Sequence, residues 1–102
     1  MLLTVLERLV LLNILPKEGD FTTLKIVRKM REDLSFSEDE HKALKFVQEP
    51  DQLRWDDKAE ADKEVTFGEK ATDIIKETLK RLNDEKKLTE EIFSLYEKFI
   101  GE

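Results

Sequence analysis

His41 is the chain's only histidine, and it lies close to Glu38 and Asp39 with no cysteine anywhere to join it. General-base work or transition-metal binding needs partner groups that tune or share the imidazole. His41 therefore reads as a solvent-facing residue with carboxylate neighbours. Ser35, Ser37 and Ser94 fall in a helix-cap region or on an amphipathic helix, with no local base to activate a hydroxyl. Phosphate-cradling loops need closely spaced glycines, whereas this chain has only Gly19, Gly68 and Gly101. Asp56, Asp57, Glu60 and Asp62 offer oxygens for a hard cation, but Ala59 and Ala61 stand at ligand positions and the turn glycine is missing. That run reads as solvated charge. Among 24 acidic residues no spacing singles out one carboxylate pair for hydrolysis. The reading is of a non-enzyme, without catalytic residues, cofactor or metal.

Two residue groups remain that could bind rather than react. Lys25, Arg28 and Lys29 fall together with Glu32 on one helix face, a candidate basic patch that is also the ordinary pattern of a solvated face. Trp55, beside Arg54 and within reach of Phe46, is either a lid on the core or an exposed anchor of the type enriched at interface hot spots.

A chain of 102 residues is the size of one domain. With 41% charged and 39% hydrophobic residues it is heavily solvated outside yet apolar enough to fold. The absence of cysteine fits a reducing compartment, and the cytoplasm is the expected location. The apolar N-terminal run is interrupted by Glu7 and Arg8, lacks a preceding basic residue and is far short of the ~20 apolar residues of a spanning helix. No membrane association is expected. The net charge of −6 is uneven: residues 35 to 69 hold eleven acidic and five basic groups, while the flanking thirds are nearly balanced. A phosphate backbone would be repelled from that middle third.

The elements that must position these residues follow from caps and periodicity. Thr4 and Glu7 form a capping box for a first helix over Val5 to Ile14, which Pro16 ends. Its apolar residues surround most of the cylinder, so it must be central or covered by a second subunit. Asp20 caps a second helix reaching Leu34, with Leu24, Val27, Met30 and Leu34 inward. Ser37 and Glu40 open a short third helix to Leu44, with Ala43 and Leu44 as core contacts. Lys45 to Glu49 and Leu53 to Asp56 predict a β-hairpin about Pro50, and Asp57 to Asp62 an exposed loop. Lys63 to Phe67 is a candidate third strand, with Val65 and Phe67 on one face. Helix four runs over Glu69 to Asn83. Thr89 caps helix five, where Leu88 and Phe93 are placed for a hydrophobic staple. The expected class is α+β, mostly helical: a single domain of about five helices with a small β-hairpin or short antiparallel sheet in the middle.

Helix five crowds Ile92, Phe93, Leu95, Tyr96, Phe99 and Ile100 into nine residues, more apolar width than one face requires. The candidate interface is accordingly Leu11, Leu15, Trp55, Phe93, Tyr96 and Ile100, for a homo-oligomer or another protein partner.

Three helices and a hairpin over residues 2 to 56 resemble the order of a winged-helix domain, in which the third helix would read DNA. Here that helix opens on Glu38-Asp39-Glu40 where phosphates would lie, which disfavours nucleic acid as a partner. Leu6-Glu7-Arg8-Leu9 through Leu15-Pro16-Lys17-Glu18-Gly19-Asp20, then Leu34-Ser35-Phe36-Ser37-Glu38, looks like a group of short uncharacterised proteins of tailed phages and prophages. That resemblance implies a small accessory protein in the cytoplasm of a bacterial host. The function expected is a non-enzymatic interaction module, the alternative a winged-helix-like nucleic-acid-binding regulator.

Overall fold

The computed structural model describes residues 1–101 and has the order β1 (Leu2–Leu3), α1 (Val5–Ile14), α2 (Phe21–Leu34), α3 (Glu38–Leu44), β2 (Val47–Gln48), β3 (Leu53–Arg54), a 3-10 turn (Asp57–Ala59), β4 (Lys63–Glu64), α4 (Glu69–Asp84) and α5 (Glu90–Ile100). It is a mostly helical α+β structure with two small antiparallel sheets. The caps at the first three helix starts are those the sequence signals. Both capping boxes form, Thr4 with Glu7 and Ser37 with Glu40, and the Asp20 carboxylate accepts the Thr23 N–H at 2.7 Å. Thr89 is the N-cap of α5 but its side chain makes no capping bond.

α1 packs between α2 and α5, while α4 closes the group by packing on α2 and α5. One buried cluster joins Leu3, Leu11 and Leu15 to Val27, Met30 and Leu34 of α2, Ile75 and Leu79 of α4, and Leu95 and Phe99 of α5. The all-round apolarity of α1 is thereby largely met within the chain. Each fully buried Leu or Ile contributes roughly 1.5–3 kcal/mol.

β2 and β3 form the expected hairpin, with Val47 opposite Arg54 and Gln48 opposite Leu53. β4 does not join it. Its partner is β1, with Leu2 opposite Glu64 and Leu3 opposite Lys63, and the pairing continues through Met1 and Val65. This separates the structure from a winged-helix sheet: the helix-helix-helix-hairpin order is present, but the N-terminal strand pairs beyond the hairpin. Val65 is buried and Phe67 half-buried, as the alternation predicts.

Several expectations are corrected by burial. Leu11 and Leu15 are 0% and 2% exposed and belong to the core, so neither is available to a partner. Leu24 stands at the edge of the buried face of α2 and is exposed, and Ala43 of α3 faces solvent. Phe93 does not fold down as a staple and is 55% exposed.

α3, the hairpin and the 3-10 turn form a satellite beside the four-helix core. Phe36, His41 and Phe46 pack edge to face within it, with centroids 5.1 Å apart for Phe36 and Phe46, and Trp55 lies tilted against Phe46 at 6.1 Å.

Candidate interaction surfaces

The most conspicuous polar side chains are inside. Arg8 is 0% exposed, and its guanidinium donates to the Leu34 and Ser35 carbonyls at 3.2 and 2.7 Å and to both Glu40 carboxylate oxygens at 2.5 and 3.2 Å. It also lies 3.9 Å from the centre of the Phe36 ring. A cation is favourable at this place because Leu34 and Ser35 end α2, where carbonyls lack helical partners, and Glu40 begins α3. Arg8 thus ties the satellite to the core. The Arg8 guanidinium, against the cost of partial burial and with help from the Ser37 N–H, holds the Glu40 carboxyl down to about 2.

Glu7 makes the matching tie at the other end. Its carboxylate accepts from the Thr4 N–H, the Ser94 hydroxyl and the Lys98 ammonium at 3.0, 2.8 and 2.6 Å, joining α1 to α5. Burial pushes this carboxyl up, but the bonds from Lys98, Thr4 and Ser94 outweigh it and the net shift is downward. Among the described residues no buried side-chain polar atom lacks a partner. These two sites are saturated, so they hold the fold and offer no free group for chemistry.

The other candidates singled out in the sequence lie in the satellite. His41 is exposed within the aromatic satellite. Asp56 caps the 3-10 turn through the Lys58 N–H at 3.0 Å, and Glu60 accepts the Trp55 indole N–H. Among the described residues no group of three or more His, Cys, Asp or Glu side chains is placed to hold a metal ion. Trp55 is half-buried, with its ring beside Phe46 in the satellite.

Leu2 of β1 and Val47 of β2 are exposed singly, whereas α2 and α5 each carry an exposed phenylalanine. Phe93, Tyr96 and Ile100 follow one another at i, i+3 and i+7 along one side of α5. Tyr96 and Ile100 pack partly against the core and Phe93 projects beyond them. On α2 the predicted basic residues Lys25, Arg28 and Lys29 are all exposed, on the crest between two hollows. Toward α4 lies a cavity of about 600 Å³ lined by Lys25, Ile26, Lys29, Met30 and Asp33 and by the segment from Thr66 to Ala71. Lys29 is already paired there with Asp33 at 3.0 Å, a bond that raises the lysine's pKa. Toward the α1–α2 turn lies a groove of about 450 Å³ lined by Pro16, Lys17, Leu24, Val27, Arg28 and Arg31. Phe21, at the start of α2 and on the same side as Leu24 and Arg28 by helical spacing, is 82% exposed.

Sequence reasoning missed Arg8 and Glu7 as interior charges, although Glu7 and Glu40 carried a signal as capping-box acceptors with oxygens to spare. It also passed over Phe21, whose exposure follows from its place at the first position of the helix, before the inward stripe begins.

No family model, curated protein or solved structure matches the chain. No helix among the described residues is long and apolar enough to cross a membrane.

Proposed function

We propose that this chain is a non-enzymatic interaction module that acts by binding another protein or a second copy of itself. The observation that carries the reading is the position of its aromatic residues. Phe21 and Phe93 stand in water at the edges of partly apolar surfaces, while the polar groups inside the fold are fully partnered. A large aromatic side chain gains about 1.5–3 kcal/mol when covered, and aromatic and arginine side chains side by side are the usual composition of an interface centre. The resemblance to short phage-encoded proteins fits an accessory role in the cytoplasm of a bacterial host. The winged-helix reading is weaker, because Glu38 and Asp39 are exposed in the first turn of α3, where a reading helix would meet phosphates.

Quantitative affinity purification with wild type, Phe21→Asp and Phe93→Asp tests this. One or more proteins, or the chain itself, should be retained by wild type and lost from a variant whose helical circular dichroism is unchanged. Identical retention by all three, indistinguishable from an unrelated acidic helical protein, would count against the reading.

A further inference from the structure

We infer that the groove between the α1–α2 turn and α2 receives an acidic peptide segment bearing one apolar anchor residue. The inference rests on the interaction-module reading and names the chemistry of the partner. Every charged residue lining this groove is basic: Lys17, Arg28 and Arg31 surround a floor of Pro16, Leu24 and Val27. No acidic side chain lines it, although the chain as a whole carries a net charge of −6. Arg31 spends one donor on the Leu12 carbonyl at 3.1 Å, which orients its guanidinium, and among the described residues neither Lys17 nor Arg28 forms an ion pair.

The charge pattern distinguishes this groove from the larger cavity beside it. There Asp33 and Glu69 offset two of the three lysines, Lys25, Lys29 and Lys70, and Lys29 is already paired with Asp33, so that hollow favours an anion less than a groove whose charged lining is all basic. The groove holds about 450 Å³, room for the anchor side chain of a segment laid along α2. An apolar anchor would cover Leu24, with the 82%-exposed Phe21 beside it, while carboxylates flanking the anchor would meet Arg28 and Lys17 in charge-assisted hydrogen bonds. A nucleic-acid backbone fits less well. It would leave the apolar floor of Pro16, Leu24 and Val27 uncovered.

The test is selection of short random peptides displayed on particles against the full chain at low salt, followed by anisotropy titration of the winners. The titrations use wild type, Arg28→Glu, Lys17→Glu and Leu24→Asp, each first checked for native circular dichroism. Winners should pair Asp or Glu with a single Leu, Phe or Trp, bind about tenfold or more weakly to Arg28→Glu, and weaken as salt is raised. If Leu24→Asp perturbs the fold, the two charge reversals at exposed positions decide alone. Winners without acidic bias, affinity indifferent to both charge reversals, or tighter binding of a duplex oligonucleotide than of any peptide would overturn the assignment. The affinity purification can succeed through Phe93 alone, so failure of the selection removes the groove assignment without removing the wider reading.

Discussion

Replacing Arg8 with Met should cost about 3 kcal/mol, because the side chain that would be lost joins α1, the end of α2 and the start of α3 at once. The guanidinium is 0% exposed and makes four hydrogen bonds, two to backbone carbonyls and two to Glu40. Removing one partner of a buried pair costs about 3–5 kcal/mol. The lower end applies here because the Glu40 side chain is 31% exposed and regains water. Met fills much of the volume, so the loss is mainly of the Leu34 and Ser35 carbonyl bonds and the ion pair. Urea unfolding should be followed by two probes, helical circular dichroism for the four-helix core and fluorescence of Trp55 for the satellite. With a slope of about 1.5 kcal/mol per molar, the midpoint should fall by about 2 M, with the Trp55 transition moving first. The apolar substitute could instead recover in packing what the pair loses to desolvation. A stability change under about 1 kcal/mol, with both probes still coincident, would refute the reasoning and make Arg8 a passenger in the core.

Four further outcomes follow from the same structure. Acid should destabilise the protein as pH falls from about 5 toward 2. Glu40, Glu7 and Asp20 have folded pKa values depressed below their ordinary ones, so their contribution is present above the unfolded pKa and is lost as each protonates in the folded state. Glu40→Gln should flatten that pH profile while lowering stability at neutral pH, as pH-resolved melting will show. Leu79→Ala should cost about 2–5 kcal/mol by urea titration, since Leu79 is wholly buried between α4 and its neighbours. Phe93→Asp should change stability by less than about 1 kcal/mol because the ring is largely in water; if the chain self-associates through α5, sedimentation should show a lower mass for this variant. Lys45→Gly should stabilise by about 0.5 kcal/mol in the same titration, because Lys45 ends α3 with a φ of 51°, a left-handed conformation that favours glycine.

Much of this architecture was legible in local chemistry. Thr4 with Glu7, Asp20, Ser37 with Glu40, and Pro16 are short-range signals, and the helices begin and end where they point. The pairing of β1 with β4 was not legible, because two apolar residues ahead of the Thr4 cap carry no strand periodicity and their partner lies some sixty residues away. Arg8 was hidden for a related reason: a charge in an apolar helix signals exposure unless its partners are known, and here two of them are backbone carbonyls without a residue signature while the third, Glu40, lies 32 residues away. Leu11 and Leu15 were assigned to an interface because a helix apolar on all sides does not say whether its own chain or another covers it. The basic residues of α2 were found by spacing alone, whereas the groove beside Arg28 required Pro16 and Lys17 to be folded back onto the helix.

An interaction module of the proposed kind has an aromatic face that a partner protein covers. A photo-reactive phenylalanine analogue placed at position 21, at position 93 or at the exposed control Lys80 of α4 tests it in the cells that express the chain. Irradiation should give a discrete adduct of fixed mass from position 21 or 93 and none from position 80. Adducts from neither aromatic position, or a diffuse ladder alike at all three, would contradict it.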